Sequence, residues 1–312
     1  MRHLRSALAL ALAATLSACG SSSDETQPSA QQNIVQLAQA NPDLSILVEA
    51  VVAADLAGTL SGPGPFTVFA PTNAAFSALL TELGMTKEQL LADKPLLTAV
   101  LQYHVLGARV AKSQIQLGKA ITPLAGGIFK VDQVGTDLVV TDGRNRTARI
   151  VATDISASNG VVHLLDKVIL PADKTVVETA VANPSFSILV EAVVAADLAG
   201  ALSGPGPFTV FAPTDAAFAD LLTELGVTKE QLLADTTLLT SVLAYHVIPG
   251  RVLAADVMPG NQPATVQGEI FSIDAGLVIT DQRGRTADIT ATDVLASNGV
   301  IHVLDKVILP SP

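Results

Sequence analysis

Phe66-Thr-Val-Phe-Ala-Pro-Thr-Asn-Ala-Ala-Phe76 decides the fold of this chain, and it returns with one substitution as Phe208-Thr-Val-Phe-Ala-Pro-Thr-Asp-Ala-Ala-Phe218. Alternating apolar residues closed by a proline predict a short strand over Phe66–Pro71, since proline lacks the N–H that a continuing ladder needs. Thr72 then offers a side-chain oxygen to cap a helix. The buried face of that helix is Phe76, Leu79, Leu80 and Leu83, and Gly84 supplies its C-terminal turn.

Working outward, Leu44, Leu47, Val48, Val51 and Val52 have helical spacing, stopped by Gly58 and by the turn Ser61-Gly-Pro-Gly-Pro65. Downstream, Thr86 and Gln89 fit a capping box. Pro95 opens a further helix with Leu96, Leu97, Val100, Leu101 and His104 on one stripe. From Val105 the texture turns to β: residues 128–131, 138–141, 149–153 and 161–170 are rich in β-branched side chains between Gly, Asn and Asp turns. Helices first and strands later predict an α+β domain, its helices packed against a mostly antiparallel sheet or wedge.

The pattern occurs twice. Tyr103-His104 returns as Tyr245-His246, a displacement of 142 residues, and residues 41–110 differ from 183–252 at 14 of 70 positions. Farther on, Ser158-Asn-Gly-Val-Val-His163 pairs with Ser297-Asn-Gly-Val-Ile-His302 at a displacement of 139, so three residues are lost from the intervening loops. So long a period signifies duplicated domains rather than a solenoid of small repeats. Pro171-Ala-Asp-Lys174 is the expected joint, polar and proline-marked.

Three motifs carry a family resemblance. Phe66 to Phe76 resembles the first signature of the fasciclin domain, Asn159-Gly-Val-Val-His-Leu-Leu-Asp-Lys-Val-Ile-Leu-Pro171 resembles the second, and Tyr103-His104 lies between them like the family's tyrosine–histidine motif. All three recur, as Phe208 to Phe218, Asn298 to Pro310 and Tyr245-His246. The resemblance implies two compact β-wedges or sandwiches, each with a helical N-terminal half and a mostly antiparallel C-terminal half. It also implies a role in cell adhesion, matrix attachment or host–microbe contact and does not imply catalysis, and the chain is expected not to be an enzyme. Through it Tyr103, His104, Tyr245 and His246 become expected binding residues, acting directly or by maintaining the surface that binds.

At the N-terminus a basic head with Arg2 and Arg5 precedes an apolar run over residues 7–16, too short to span a bilayer and ordered like a secretory signal. Leu16-Ser-Ala-Cys19 resembles a bacterial lipobox, which implies acylation of Cys19 after cleavage. Each buried methylene of an acyl chain contributes about 0.8 kcal/mol, so several chains hold a domain at a membrane. Residues 20–29 have no apolar period and read as a flexible tether. The expected layout is a signal at 1–18, lipidated Cys19 and tether at 19–30, and domains at 31–171 and 172–312. Gly20 and Ser21 in place of an aspartate retention signal resemble Gram-negative lipoproteins sorted to the outer membrane or cell surface.

Cys19 is the single cysteine, so no disulfide forms within the chain and stability rests on the core. The formal charge is −11, becoming −13 once Arg2 and Arg5 leave with the signal. An acidic protein repels phosphate backbones, which argues against nucleic acid as a partner. Gly-x-Ser-x-Gly, His-Glu-x-x-His and phosphate-loop motifs are absent from the sequence. Each domain has two histidines, His104 with His163 and His246 with His302, too few for a zinc site, and their apolar settings predict buried rings bonded to backbone or carboxylate. No metal or cofactor is expected.

Arginines cluster at Arg144, Arg146 and Arg149, and again at Arg283 and Arg285. They read as a solvated turn, with an anion-gripping patch as the functional alternative. The expected partners are the membrane, through Cys19, and a protein or polysaccharide of envelope, matrix or host surface. A periplasm-facing binder of polysaccharide or of a small apolar ligand is the alternative, which a lined pocket would reveal.

Overall fold

The computed structural model describes residues 31–258, 260 and 262–312, so the expected signal, Cys19 and tether through residue 30 lie outside the described residues. The first repeat opens with α1 (Ile34–Ala40), α2 (Ser45–Ala53) and α3 (Ala57–Leu60). Then come β1 (Phe66–Pro71), α4 (Asn73–Leu83), α5 (Lys87–Ala92) and α6 (Lys94–Tyr103). The helix ends follow local chemistry. Thr72 accepts the Ala75 amide, Gly84 takes φ +64° beyond α4, Thr86 and Gln89 cap reciprocally, and Asp93 caps α6 with Pro95 in its first turn.

Six strands follow: β2 (Val105–Leu106), β3 (Ala120–Ile121), β4 (Phe129–Val134), β5 (Asp137–Thr141), β6 (Thr147–Ala157) and β7 (Gly160–Leu165). Their order in the sheet is β2-β1-β7-β6-β5-β4-β3. Every pairing is antiparallel except β1 with β7, where Phe66 stands opposite Gly160 and Pro71 opposite Leu165. The two signature stretches are thus the central parallel pair, covered on both faces, which explains their near-continuous apolar character.

One core lies under the helices, with Leu44, Leu47, Val68, Leu97, Val162 and Leu170. A second fills the curl of the sheet, with Phe69, Tyr103, Phe129, Val131, Val140 and Leu165. The Phe69 and Phe129 rings pack edge to face with their centroids 5.2 Å apart. Strand β6 serves both parts, since its register with β7 breaks between Ile150 and Ala152 and again between Ala152 and Ile155, beside Asp154 at φ +60°. Such bulges bend a strand and sharpen its twist.

The strand expected over residues 161–170 stops at Leu165. Asp166 and Lys167 turn away, and Val168, Ile169 and Leu170 run on buried but outside any ladder. The Ile169 and Leu170 amides are bonded by side chains instead. The strand expected over 149–153 is longer, Thr147–Ala157, because the bulges let it continue around the curl.

The second repeat has α7 (Val176–Val181), α8 (Ser187–Ala195), α9 (Ala199–Leu202), β8 (Phe208–Pro213), α10 (Asp215–Leu225), α11 (Lys229–Ala234) and α12 (Thr236–Tyr245). Its remaining strands are β9 (Val247–Pro249), β10 (Ser272–Ile273), β11 (Val278–Thr280), β12 (Thr286–Ala296) and β13 (Gly299–Leu304). The order is β10-β11-β12-β13-β8-β9, with β13 parallel to β8. The three lost residues come out of one hairpin: β4 and β5 pair over five rungs, β10 and β11 over two.

The repeats meet through residues that are only partly shared: Lys130 and Asn145 have no like counterpart in the second repeat, whereas Asp293 matches Asp154 of the first. Lys130 Nζ lies 2.8 Å from Asp293 Oδ2 and 3.2 Å from Asp132, and the Asp293 side chain is only 3% exposed. Burial works against the Lys130 ammonium, but the two carboxylates outweigh it and its pKa is raised. Asn145, at φ +62°, exchanges both hydrogen bonds with the Leu295 backbone. Lys119 pairs with Asp256 at 2.8 Å. An apolar cluster of Ile128, Leu253, Leu295 and Val300 completes the contact.

Candidate functional site

Tyr103 ends α6 with its ring wholly buried against Phe129, and its hydroxyl donates to the Ile128 carbonyl. Burial, with the nearby Asp142 charge, pushes the phenol well above its ordinary value. His104 is next, 1% exposed. Its Nδ1–H donates to the Val100 carbonyl at 2.7 Å, and its Nε2 accepts the Ile169 amide at 3.1 Å. That pattern requires the neutral ring, and burial lowers the pKa to about 4. The second repeat matches: Tyr245 donates to Ile270, and His246 bridges Val242 and Ile308 at 2.7 and 3.2 Å, its pKa again brought by burial to about 4.

All four of these expected binding residues are therefore interior, and none presents its side chain to a partner. What they hold is the final segment of each domain. Asp142 completes the clamp: its Oδ2 accepts the Leu170 amide at 2.9 Å, and its Oδ1 accepts the amides of Arg144 and Arg146. Asp281 does the same for Leu309, Arg283 and Arg285. Neither aspartate belongs to the three motifs. The signal was the aspartate opening each arginine turn, a residue type that bonds the backbone two residues on.

The arginines of the expected anion patch have partners within the chain. Arg146 forks onto Glu82 at 2.8 Å, reaches Asp142 at 3.0 Å and donates to the Val168 carbonyl. Arg144 pairs with Asp173 at 3.2 Å and Arg149 with Asp166 at 3.0 Å. Arg283 donates to the Pro310 carbonyl and Arg285 pairs with Glu224. Arg144, Arg146 and Arg285 thus tie the turn to the rest of each domain through carboxylates of the same chain, and Arg283 does so through a backbone carbonyl.

His163 and His302 lie in the parallel strands. Each donates from Nε2 to a backbone carbonyl, Val110 or Val252, and accepts at Nδ1 the amide of the bulged aspartate, Asp154 or Asp293. Burial lowers the His302 pKa. Asn159 is a further knot: it accepts the Ile34 amide and donates to the Leu60 and Gly62 carbonyls, tying α1 and the proline turn to the start of β7. Asn298 repeats these bonds to Val176, Leu202 and Gly204. Among the described residues no group of three His, Cys, Asp or Glu side chains is placed to hold a metal.

Residues 42–171 and 184–310 each match the model of the fasciclin domain, and together they span most of the chain. The chain belongs to the fasciclin domain family. Transforming growth factor-beta-induced protein ig-h3 of Sus scrofa is 30% identical over 80% of this chain and 35% of its own length. Periostin of Homo sapiens is 28% identical over 91% of this chain and 32% of its own. The chain thus spans about a third of these relatives. Protein sll1483 of Synechocystis is 48% identical over 44% of this chain and 73% of its own length. A solved FAS1 domain pair from the insect cell adhesion molecule fasciclin I is 19% identical with a TM-score of 0.44, covering 86% of this chain and 97% of that one. The clamp of His104, Asp142 and Asn159 joins the fasciclin motifs to one another, so the motifs describe a scaffold.

Proposed function

We propose that this protein is an exported lipoprotein of the bacterial cell envelope, anchored through Cys19, whose two fasciclin domains form a non-enzymatic adhesion or interaction module. Fasciclin domains are associated with cell adhesion and interaction. The observation that carries the proposal is the family match over both domains. The titratable side chains of the family motifs are committed to intramolecular bonds, which favours a structural use of those groups over a chemical one. Two modules on one anchor also give avidity, so weak contacts by each domain add up to firm attachment. A partner is then a protein or polysaccharide of envelope, matrix or host surface.

The test is protease treatment of intact cells, with antibody detection of the chain and of a periplasmic control. Digestion of this chain with the control intact is the expected result. Full protection would reject external adhesion and favour a periplasm-facing binder of polysaccharide or of a small apolar ligand. A Cys19→Ser variant is expected to leave the membrane fraction.

A further inference from the structure

The contact between the two domains is head to tail. Strand β4 and the arginine turn of the first domain, with Lys130 and Asn145, meet the bulged β12 of the second, with Asp293 and Leu295. A contact of this kind leaves one copy of each face unused. The unused copy of the β12 face is on β6 of the first domain, around Asp154 and Ser156.

Asp154 is built like Asp293. Both stand at the bulge with a left-handed backbone, at φ +60° and +59°. The amide of each donates to the histidine of the parallel strand, His163 at 3.2 Å and His302 at 3.3 Å. One carboxylate oxygen of each accepts an amide at 2.8 Å, from Lys112 or from Ala254. The other oxygen of Asp293 receives the Lys130 ammonium at 2.8 Å. Asp154 is held by the same bonds, but it is exposed and forms no ion pair among the described residues. Ser156 pairs with Val161 as Leu295 pairs with Val300, which places its backbone like the one that Asn145 bonds.

The differences around this face select its partner. Neither face of a second copy fits: Lys130 is taken by Asp293 of its own chain, and the second domain has Ser272 and Gly284 where the first has Lys130 and Asn145. Lys112 and Gln114 replace Ala254 and Asp256, so the second ammonium of the domain contact, Lys119 on Asp256, would find no carboxylate here. Beside Asp154 an open hollow of about 350 Å³ is lined by Ile115, Leu117 and Leu138. Apolar side chains of a protein strand suit it, as Ile128 suits Leu253, Leu295 and Val300 in the domain contact. An amino sugar also carries an ammonium, but its hydroxyls would lose hydration against these residues.

We infer that Asp154 and the hollow beside it form a docking face for a different protein, which sets one lysine of an exposed strand on the unused Asp154 oxygen. The inference rests on the reading of the chain as an interaction module and names the face that it uses.

The test supplies such a lysine on a known surface. In the full chain with Cys19→Ser, the double variant Ser272→Lys/Gly284→Asn gives the second domain the two groups that dock the first. Sedimentation over a range of concentrations is expected to show this variant associating head to tail at least tenfold more tightly than the parent chain. Adding Asp154→Asn, which keeps an oxygen for the Lys112 amide, is expected to abolish the gain with an unchanged circular dichroism spectrum. No association of the double variant, or association that survives Asp154→Asn, would overturn the inference. Association of the parent chain that Asp154→Asn removes would also overturn it, making a second copy the partner. Binding of fully deacetylated chitohexaose that depends on Asp154, without association of the double variant, would overturn it in favour of an amino sugar. Each outcome is read on the purified chain, so it stands or fails separately from protease treatment of cells.

Discussion

The Nε2 of His104 accepts the backbone N–H of Ile169 across a separation of 65 residues, at 3.1 Å and out of contact with water. A side chain here does what a neighbouring strand does elsewhere, satisfying the backbone of a buried segment that has left the sheet. The arrangement depends on a neutral imidazole, and it recurs between His246 and Ile308.

Stability should therefore fall with acid. Burial holds His104 and His246 at about 4, below the ordinary value of 6.5, so between those values the unfolded chain takes up protons that the folded chain refuses. The histidine contribution is fully present above pH 6.5 and is lost as pH falls through about 4. Each histidine contributes roughly 3 kcal/mol over that window. Urea midpoints followed by circular dichroism at pH 7.0 and pH 4.5 check this, and a His104→Gln/His246→Gln variant is expected to show a flatter pH dependence.

Asn159→Ala removes three hydrogen bonds at one part-buried point, those to Ile34, Leu60 and Gly62. A loss of about 2–4 kcal/mol is expected, since unpaired buried backbone groups cost about 1–3 kcal/mol each and water reaches some of them. Thermal unfolding measures it. Asn298→Ala should cost a similar amount in the second domain, where the same bonds occur.

Lys130→Ala leaves the Asp293 carboxylate buried between the domains with no ammonium. A destabilisation of about 3 kcal/mol is expected, because breaking one partner of a buried pair strands the other charge. The companion Lys130→Met/Asp293→Asn should recover most of it. A double-mutant cycle on denaturant midpoints, with limited proteolysis between the domains, separates the two outcomes.

Arg146→Ala should act on stability and not on anion binding. It strips Asp142 of a 3.0 Å ion pair and the Val168 carbonyl of its donor. A loss of about 2–3 kcal/mol is expected from a buried carboxylate deprived of its charged partner. Affinity for a sulfated polysaccharide, measured by calorimetry, should not change between the wild-type chain and this variant.

By itself the sequence determined the local and the repetitive. Thr72 and Gly84 bound α4, Thr86 with Gln89 caps α5, and the duplication with its three fasciclin motifs sets two α+β domains, because each of these signals acts within a few residues or repeats in the chain. The tertiary structure alone decided which groups meet across long separations. Residues 168–170 have strand-like composition, yet they leave the sheet because His104 and Asp142 supply their bonds from 65 and 28 residues away. The arginines looked free in the sequence, but Glu82 comes from a helix 64 residues earlier. Lys130 and Asp293 are 163 residues apart and belong to different repeats, so no local pattern marks them. Hydrogen bonds and ion pairs depend on where side chains end in space, and the core, by burying both motifs on one parallel strand pair, fixes those positions.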